Sequence, residues 1–362
     1  MGIVLRNMKR LDGREADIVI DGGRVAAVVA PGTGEGEVVA EGGYVSGGWI
    51  DMHVHAFREL KPYGDAIDEI GVKQGVTTIV DAGSCGADRI GELQAAGSRS
   101  ATRLLAFLNI SRIGLERVDE LSDPAWIDEQ AVREAARAYP AFLVGLKARI
   151  SRSVVREQGI EPLRRARRLS EMTGLPLMVH IGSGPPAIDE VIGLLARGDI
   201  VTHYLNGKAN NLFDGQGRPL PELTEAIARG VRLDVGHGSA SFSFRVAEQA
   251  RAAGVPLHTI STDIYERNRL HGPVYSLADV MSKFLHLGYG LREVVDAVTV
   301  HAAGWLGRPE LGELKVGGPA DLTLFDVVRG GRTLVDSEGE TRTADTYIQA
   351  KGAVIDGSYF AC

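Results

Sequence analysis

Thr173-Gly174-Leu175-Pro176-Leu177-Met178-Val179-His180 holds one full period of a pattern that recurs through the middle of the chain. An amphipathic stretch, Glu161–Met172, ends at a glycine, a short apolar run follows, and the run stops on a polar residue. Glycine suits the position just past a helix end because the backbone turns there through the left-handed region. The same grammar appears at Lys73–Gly75 then Val76–Val80, and at Arg197–Gly198 then Ile200–His203. It returns at Arg229–Gly230 then Val231–Asp234, and at Ala253–Gly254 then Val255–Ile260. Three further runs, Val45–His55, Thr102–Ser111 and Ala141–Ser151, bring the expected strands to eight. Continuous apolar runs are what parallel strands buried on both faces look like. Helical segments such as Asp128–Ala138 and Phe244–Ala253 separate them. The expected fold is therefore α/β, a (β/α)₈ TIM-type barrel over residues 46–304, with its active site at the C-terminal strand ends. An open doubly wound sheet is the alternative.

The two ends read differently. Residues 1–45 and 305–362 carry short segments such as Asp17–Ile20, Val25–Val29 and Leu322–Phe325, set between Gly-rich turns such as Asp21-Gly22-Gly23 and Gly317-Gly318-Pro319. Such spacing predicts antiparallel β structure. Neither end is long enough to bury a sheet alone, so the expectation is that they meet in one small β-sandwich domain beside the barrel.

Composition narrows the function. The 362 residues carry a net charge of −7 with no long run of either sign, which argues against a nucleic-acid partner or an anionic membrane surface. No apolar stretch is long enough to span a bilayer, and Met1–Gly13 lacks a signal-peptide apolar region. With two cysteines, Cys85 and Cys362, a disulfide framework is not expected, and the cytoplasm is the default compartment. Glycine, 46 of 362 residues, is well above the usual share of about 7%, in keeping with many tight connections. A homo-oligomer is compatible with all of this.

The strand ends carry the chemistry. The first expected barrel strand finishes Asp51-Met52-His53-Val54-His55, where residues two apart share a side, so both imidazoles can face one metal ion. A lone His-x-His pair is more often structural. Here, however, Lys147, His180, His203 and Asp263 also fall at the ends of expected strands four, five, six and eight. Side chains at that end of a barrel converge on its mouth. Lys147 follows the apolar run Phe142–Leu146, and the chain has only eight lysines. It can snorkel to solvent. Alternatively its amine loses the proton and reacts with CO₂, and the carbamate oxygens bridge two metal ions.

Together these segments resemble the amidohydrolase superfamily, binuclear type with a carboxylated lysine, over nearly the whole chain. The resemblance rests on Gly48–His55, Lys147, Val179-His180, Thr202-His203, Ser261-Thr262-Asp263 and the closing Pro319–Phe325. Gly145–Arg149, His203–Lys208 and Leu233–Phe244 further resemble the dihydroorotase-like amidohydrolase/deacetylase branch. This implies His53, His55 and Asp263 on a first divalent ion, His180 and His203 on a second, and Lys147 bridging. Zinc is the usual occupant, although these ligand types also accept manganese. Cys85 resembles the cysteine that ligates metal in D-aminoacylases, while Lys147 already supplying the bridge favours a buried inert thiol.

The expected activity is metal-dependent hydrolysis of an amide or ester, with a bridging hydroxide attacking the carbonyl and Asp263 as general base, then acid. Arg149, Arg58 and Lys208 are the expected contacts for a small carboxylate-bearing acylated substrate, joined by Tyr204, Asn206, His237 and Ser239. One alternative is cyclic-amide hydrolysis of the dihydroorotase or hydantoinase kind. Dihydroorotases place Arg two residues after the second strand-one histidine, where this chain has Phe57, with Arg58 one later. Nucleobase deamination is a further rival, although such deaminases generally keep one metal and no bridging lysine. A catalytically silent scaffold is the rival from another class, but all six expected metal-binding residues are present.

Overall fold

Gly48 splits the apolar run Val45–His55 into two strands that belong to different sheets. In the computed structural model, which describes residues 2–362, Tyr44–Gly47 joins the small domain and Trp49–Val54 begins the barrel. The Gly48 amide donates to the Asp321 carbonyl at 2.7 Å, and a Cβ there would lie 2.1 Å from Thr77 Oγ1. Only glycine fits the crossing.

Seven parallel strands follow in sequence order, from Trp49–Val54 through Val76–Ala82, Arg103–Asn109, Leu143–Ile150, Leu177–Ile181 and Ile200–Thr202 to Arg232–Asp234. The eighth expected strand does close the barrel, but only through isolated parallel bridges, Asp234 to Thr259 and Val54 to Ile264. Its irregularity has a local cause. Thr259 and Ser261 bond the Asp234 carboxylate, Thr262 bonds that of Asp51, and Asp263 sits at φ 53°. Helices expected from the pattern are present at Glu129–Ala138, Glu161–Thr173 and Phe244–Ala252. Asp128 caps the first of them, accepting from the Ala131 amide at 3.0 Å.

The chain ends meet as anticipated, in one continuous, mostly antiparallel eight-stranded sheet. Tyr44–Gly47 pairs antiparallel with Leu322–Phe325, and Lys9–Arg10 runs parallel to Tyr44–Val45. Leu5, Met8, Ile18, Leu322, Leu324 and Val354 form its own apolar core. The C-terminal hairpin extends much further than the sequence pattern indicates. Its strands, Leu322–Val335 and Thr341–Ile355, continue onto the barrel, where Phe325, Leu334, Ala344 and Ile348 join the main core. The hairpin tip thereby reaches the active face.

Candidate active site

Three histidines at the strand ends hold the same tautomer, each for a reason visible in its partner. His53 Nδ1 lies 2.9 Å from Thr202 Oγ1, whose own proton goes to Asp234 Oδ2. His55 Nδ1 lies 2.8 Å from Ser84 Oγ, whose proton goes to Asp81 Oδ2. His203 Nδ1 lies 2.6 Å from the Gly236 carbonyl. In each case the ring must donate from Nδ1, which leaves an Nε2 lone pair facing inward. Burial, the largest influence, pushes His53 down to about 4 and holds His180 and His203 well below their ordinary value. These are neutral imidazoles, the form that binds metal.

Asp263 completes the convergence. Its Oδ1 is 3.1 Å from His55 Nε2 and 3.6 Å from His53 Nε2. Burial raises its pKa, but the facing His53, His55 and His203 outweigh this and hold the carboxyl well below the usual range. Both His203 (φ 70°) and Asp263 (φ 53°) occupy the left-handed region, which side-chain-bearing residues rarely adopt and which concentrates at functional sites. Lys147 is fully buried with Nζ 3.3 Å from His53 Nε2, and burial pushes its pKa down to about 7. Its methylenes pass over Gly83, where a Cβ would lie 2.6 Å from Lys147 Cβ.

These residues fit a metal centre. Ligand atoms of His53, His203 and Asp263 lie within 4.8 Å of one another, and His203 Nε2 is buried without a hydrogen-bond partner. A buried acceptor left bare is costly unless something coordinates it. The His180 ring stands 4.5 Å from that of His203, edge to face. All six expected metal-binding residues therefore line one cavity.

Comparison with known proteins gives the family. Residues 314–361 match the family described as a deacetylase-like composite domain. A deacetylase of Enterococcus faecalis is 40% identical, covering 99% of this chain and 98% of its own. The chain belongs to the amidohydrolase superfamily. Within it the chain falls in the dihydroorotase-like branch, and it is an enzyme of the hydrolase class. A crystal structure described as an adenine deaminase superposes with a TM-score of 0.95 at 40% identity, covering 99% of both chains. Another, described as a dihydroorotase, gives 0.92 at 35%, covering 99% of this chain and 98% of the other.

The cavity of this amidohydrolase measures 260 Å³. Arg149, Lys208 and Ser239 line it, as the sequence suggests. Strand alternation does bring Lys147 and Arg149 to the same mouth. Arg149, however, is partly committed, since its Nη1 lies 3.3 Å from the buried Glu120 carboxylate. Burial drives Lys208 below its ordinary value, and among the described residues no carboxylate lies within ion-pair distance of it. Four expected contacts lie elsewhere. Arg58 is exposed outside the cavity. Tyr204 is buried in the barrel core. Asn206 shapes the loop after the sixth barrel strand, donating to the His203 carbonyl at 2.8 Å and accepting from the Lys208 amide at 3.1 Å. His237 turns away, with Nδ1 2.9 Å from the Gly238 carbonyl and Nε2 against Lys283. Cys85 is packed in the core away from the cavity, its thiol pushed far up by burial.

Sequence reasoning missed Tyr63 and Tyr265, which meet edge-on at 5.3 Å over the mouth, and the row Ser151, Ser153 and Ser183. It also missed the carboxylates behind the histidines, Asp81 and Asp234, although both end barrel-strand segments.

Proposed function

We propose that this amidohydrolase removes a short acyl group from a small carboxylate-bearing molecule, cleaving an amide or ester at the α-nitrogen or α-oxygen. The observation that carries the reading is the inward convergence of three tautomer-fixed histidines on Asp263 and Lys147, beside an unpaired Lys208. His53, His55 and Asp263 would hold one divalent ion, His180 and His203 a second, and Lys147 would bridge them as a carbamate. Zinc matches this nitrogen-rich donor set. Two such ions supply a nucleophilic water at neutral pH and polarise the carbonyl under attack. Lys147, its pKa near 7, offers the neutral amine that adds CO₂ and releases one proton. Asp263, ionised throughout the neutral range, takes the proton from the attacking water and returns it to the leaving nitrogen or oxygen. Arg149 and Lys208 orient the substrate carboxylate, and Ser239 and Tyr265, hydrogen-bonded to each other at 3.1 Å, complete the cavity wall.

The naming of the Enterococcus faecalis relative as a deacetylase supports this choice over ring opening of dihydroorotate. So does the place of the arginine that dihydroorotases need: Phe57 is buried and Arg58 points to solvent. Among the described residues no helix is long and apolar enough to cross a membrane. The two free cysteines suit the reducing cytoplasm, where a homo-oligomer acting on a soluble metabolite would need neither nucleic acid nor membrane. The test is metal analysis joined to a screen of N-acyl and O-acyl acids against dihydroorotate, hydantoins and adenine. Turnover confined to the last three would sink the proposal.

A further inference from the structure

A second and larger cavity, 580 Å³, lies at the opposite end of the barrel. Its walls come from the N-terminal strand ends: Pro176, Ile200, Arg232 and Thr259 each open a barrel strand or the closing segment. None of the expected metal-binding or substrate-contacting residues lines it. Four basic side chains line it, Arg197, Arg232, His258 and His301, and no Asp or Glu does. That is unusual in a chain with 47 acidic residues against 40 lysines and arginines. Among the described residues neither guanidinium has an ion-pair or hydrogen-bond partner. The acids nearest in sequence are spent elsewhere: Asp199 on Arg167 and on the Leu177 amide at 2.8 Å, and Asp234 on the hydroxyls of Thr202, Thr259 and Ser261.

The other walls are fixed. The Leu233 amide donates to His258 Nδ1 at 3.0 Å, so the neutral ring carries its proton on Nε2, which has no partner among the described residues. His301 Nδ1 donates to the His258 backbone carbonyl at 3.1 Å, fixing the His301 ring against that segment. Trp305 is pinned by its Nε1 bond to the Gly198 carbonyl, 2.9 Å, and backed by Phe107 at 5.5 Å. Val300 is 39% exposed beside it.

We propose that this cavity is a second binding site, for a phosphate monoester whose phosphate meets Arg197, Arg232 and His258 Nε2–H and whose apolar body rests on Trp305 and Val300. Two planar guanidinium forks and an imidazole donor offer more hydrogen bonds than one carboxylate can accept, and they match the three terminal oxygens and double charge of a phosphate ester. The volume is also that of a small-molecule site, roughly 300–1,000 Å³, and far exceeds a bare anion.

The experiment titrates the metal-loaded full chain with phenyl phosphate, read by calorimetry and by tryptophan fluorescence, with inorganic phosphate and benzoate as parallel arms. Saturable binding of phenyl phosphate, weaker binding of inorganic phosphate and none of benzoate at the same concentration is the expected result. The double substitution Arg197→Gln with Arg232→Gln should weaken it by about 10²-fold, since each charge-assisted contact is worth roughly tenfold or more. Both arginines are exposed, so the melting temperature should not move. Val300→Asp, which places a carboxylate in the cavity, should weaken it as well. Lys208→Met, in the catalytic cavity, should leave it unchanged. No saturable binding at millimolar phenyl phosphate overturns the proposal. So does binding that survives the double substitution, binding lost with Lys208→Met, or benzoate binding as well as phenyl phosphate.

Discussion

Lys283 Nζ lies 2.9 Å from His237 Nε2, with the lysine wholly buried. The same nitrogen donates to the Pro273 carbonyl at 2.7 Å and faces Asp279 at 3.3 Å, and Asp279 in turn pairs with Arg332 of the long C-terminal hairpin. Ser337 at the hairpin tip donates to the Gly238 carbonyl at 2.9 Å. The loop Gly236–Ala240, which carries Ser239 into the cavity, is thus held from two sides, by Lys283 of the barrel helix Leu277–His286 and by the tip of the C-terminal hairpin.

Lys283→Met should therefore loosen that loop without emptying the metal site. Removing one partner of a buried pair costs about 3 kcal/mol or more, and Asp279 keeping Arg332 points to the low end. Turnover should fall by up to about 10²-fold through misplacement of the loop, with metal content unchanged. Loss of metal in the variant would assign Lys283 a different role.

The same lysine has a pH signature. Burial pushes its pKa from 10.5 down to about 8. Below pH 8 the folded and unfolded chains both carry the charge, so the burial cost is present in full. Between pH 8 and 10.5 the folded form loses its proton first, and the cost is relieved as pH rises. The stability advantage of the parent chain over Lys283→Met should grow across that window in denaturant titrations. A constant difference would contradict it.

Lys147→Ala should lose metal and activity together, because the remaining histidines leave two cations poorly neutralised. A short carboxylate such as propionate, added in solution, should restore part of both. A metal-replete, fully active variant would remove the carbamate from the mechanism.

Asp263→Asn keeps an oxygen toward the metal but cannot accept a proton near neutral pH. Metal content should largely survive while turnover drops by roughly 10² or more. Unchanged turnover would move the proton transfer to another group.

Lys208→Met should raise KM for a carboxylate substrate far more than for its methyl ester, because it deletes the cavity's unpaired cation. Arg149→Met should do the same, and should also destabilise the fold by leaving Glu120 buried without its partner. Equal effects on acid and ester would exclude a carboxylate from recognition.

The barrel and its six inward-facing polar ends were legible because both follow from local grammar. A glycine before five of the eight apolar runs, and a polar residue at or just past most run ends, need no knowledge of distant contacts. What stayed hidden depends on partners far along the chain. His237 looks like a substrate contact by position, and only Lys283, 46 residues away, reveals that its ring turns back. Lys283 itself sits on an amphipathic helix, Leu277–His286, where a lysine ordinarily marks the solvated face. Arg58 follows a strand end, but the three residues after Val54 suffice to swing it outward. The eighth strand reads as regular, yet the side-chain bonds to Asp51 and Asp234 break its ladder.

The pairing of Tyr44–Gly47 with Leu322–Phe325 also sets a schedule for biosynthesis. The first five strands leave the ribosome long before the partner that covers their edge exists. At about 5–20 residues per second, the intervening chain takes on the order of tens of seconds to appear. Through that interval Leu5, Met8 and Ile18 lack the apolar cover later supplied by Leu322, Leu324 and Val354. An open strand edge beside bare apolar side chains invites pairing with another nascent copy. The barrel strands from Trp49 onward are made during the wait, and the enzyme's small domain is completed last although its first strands are made first.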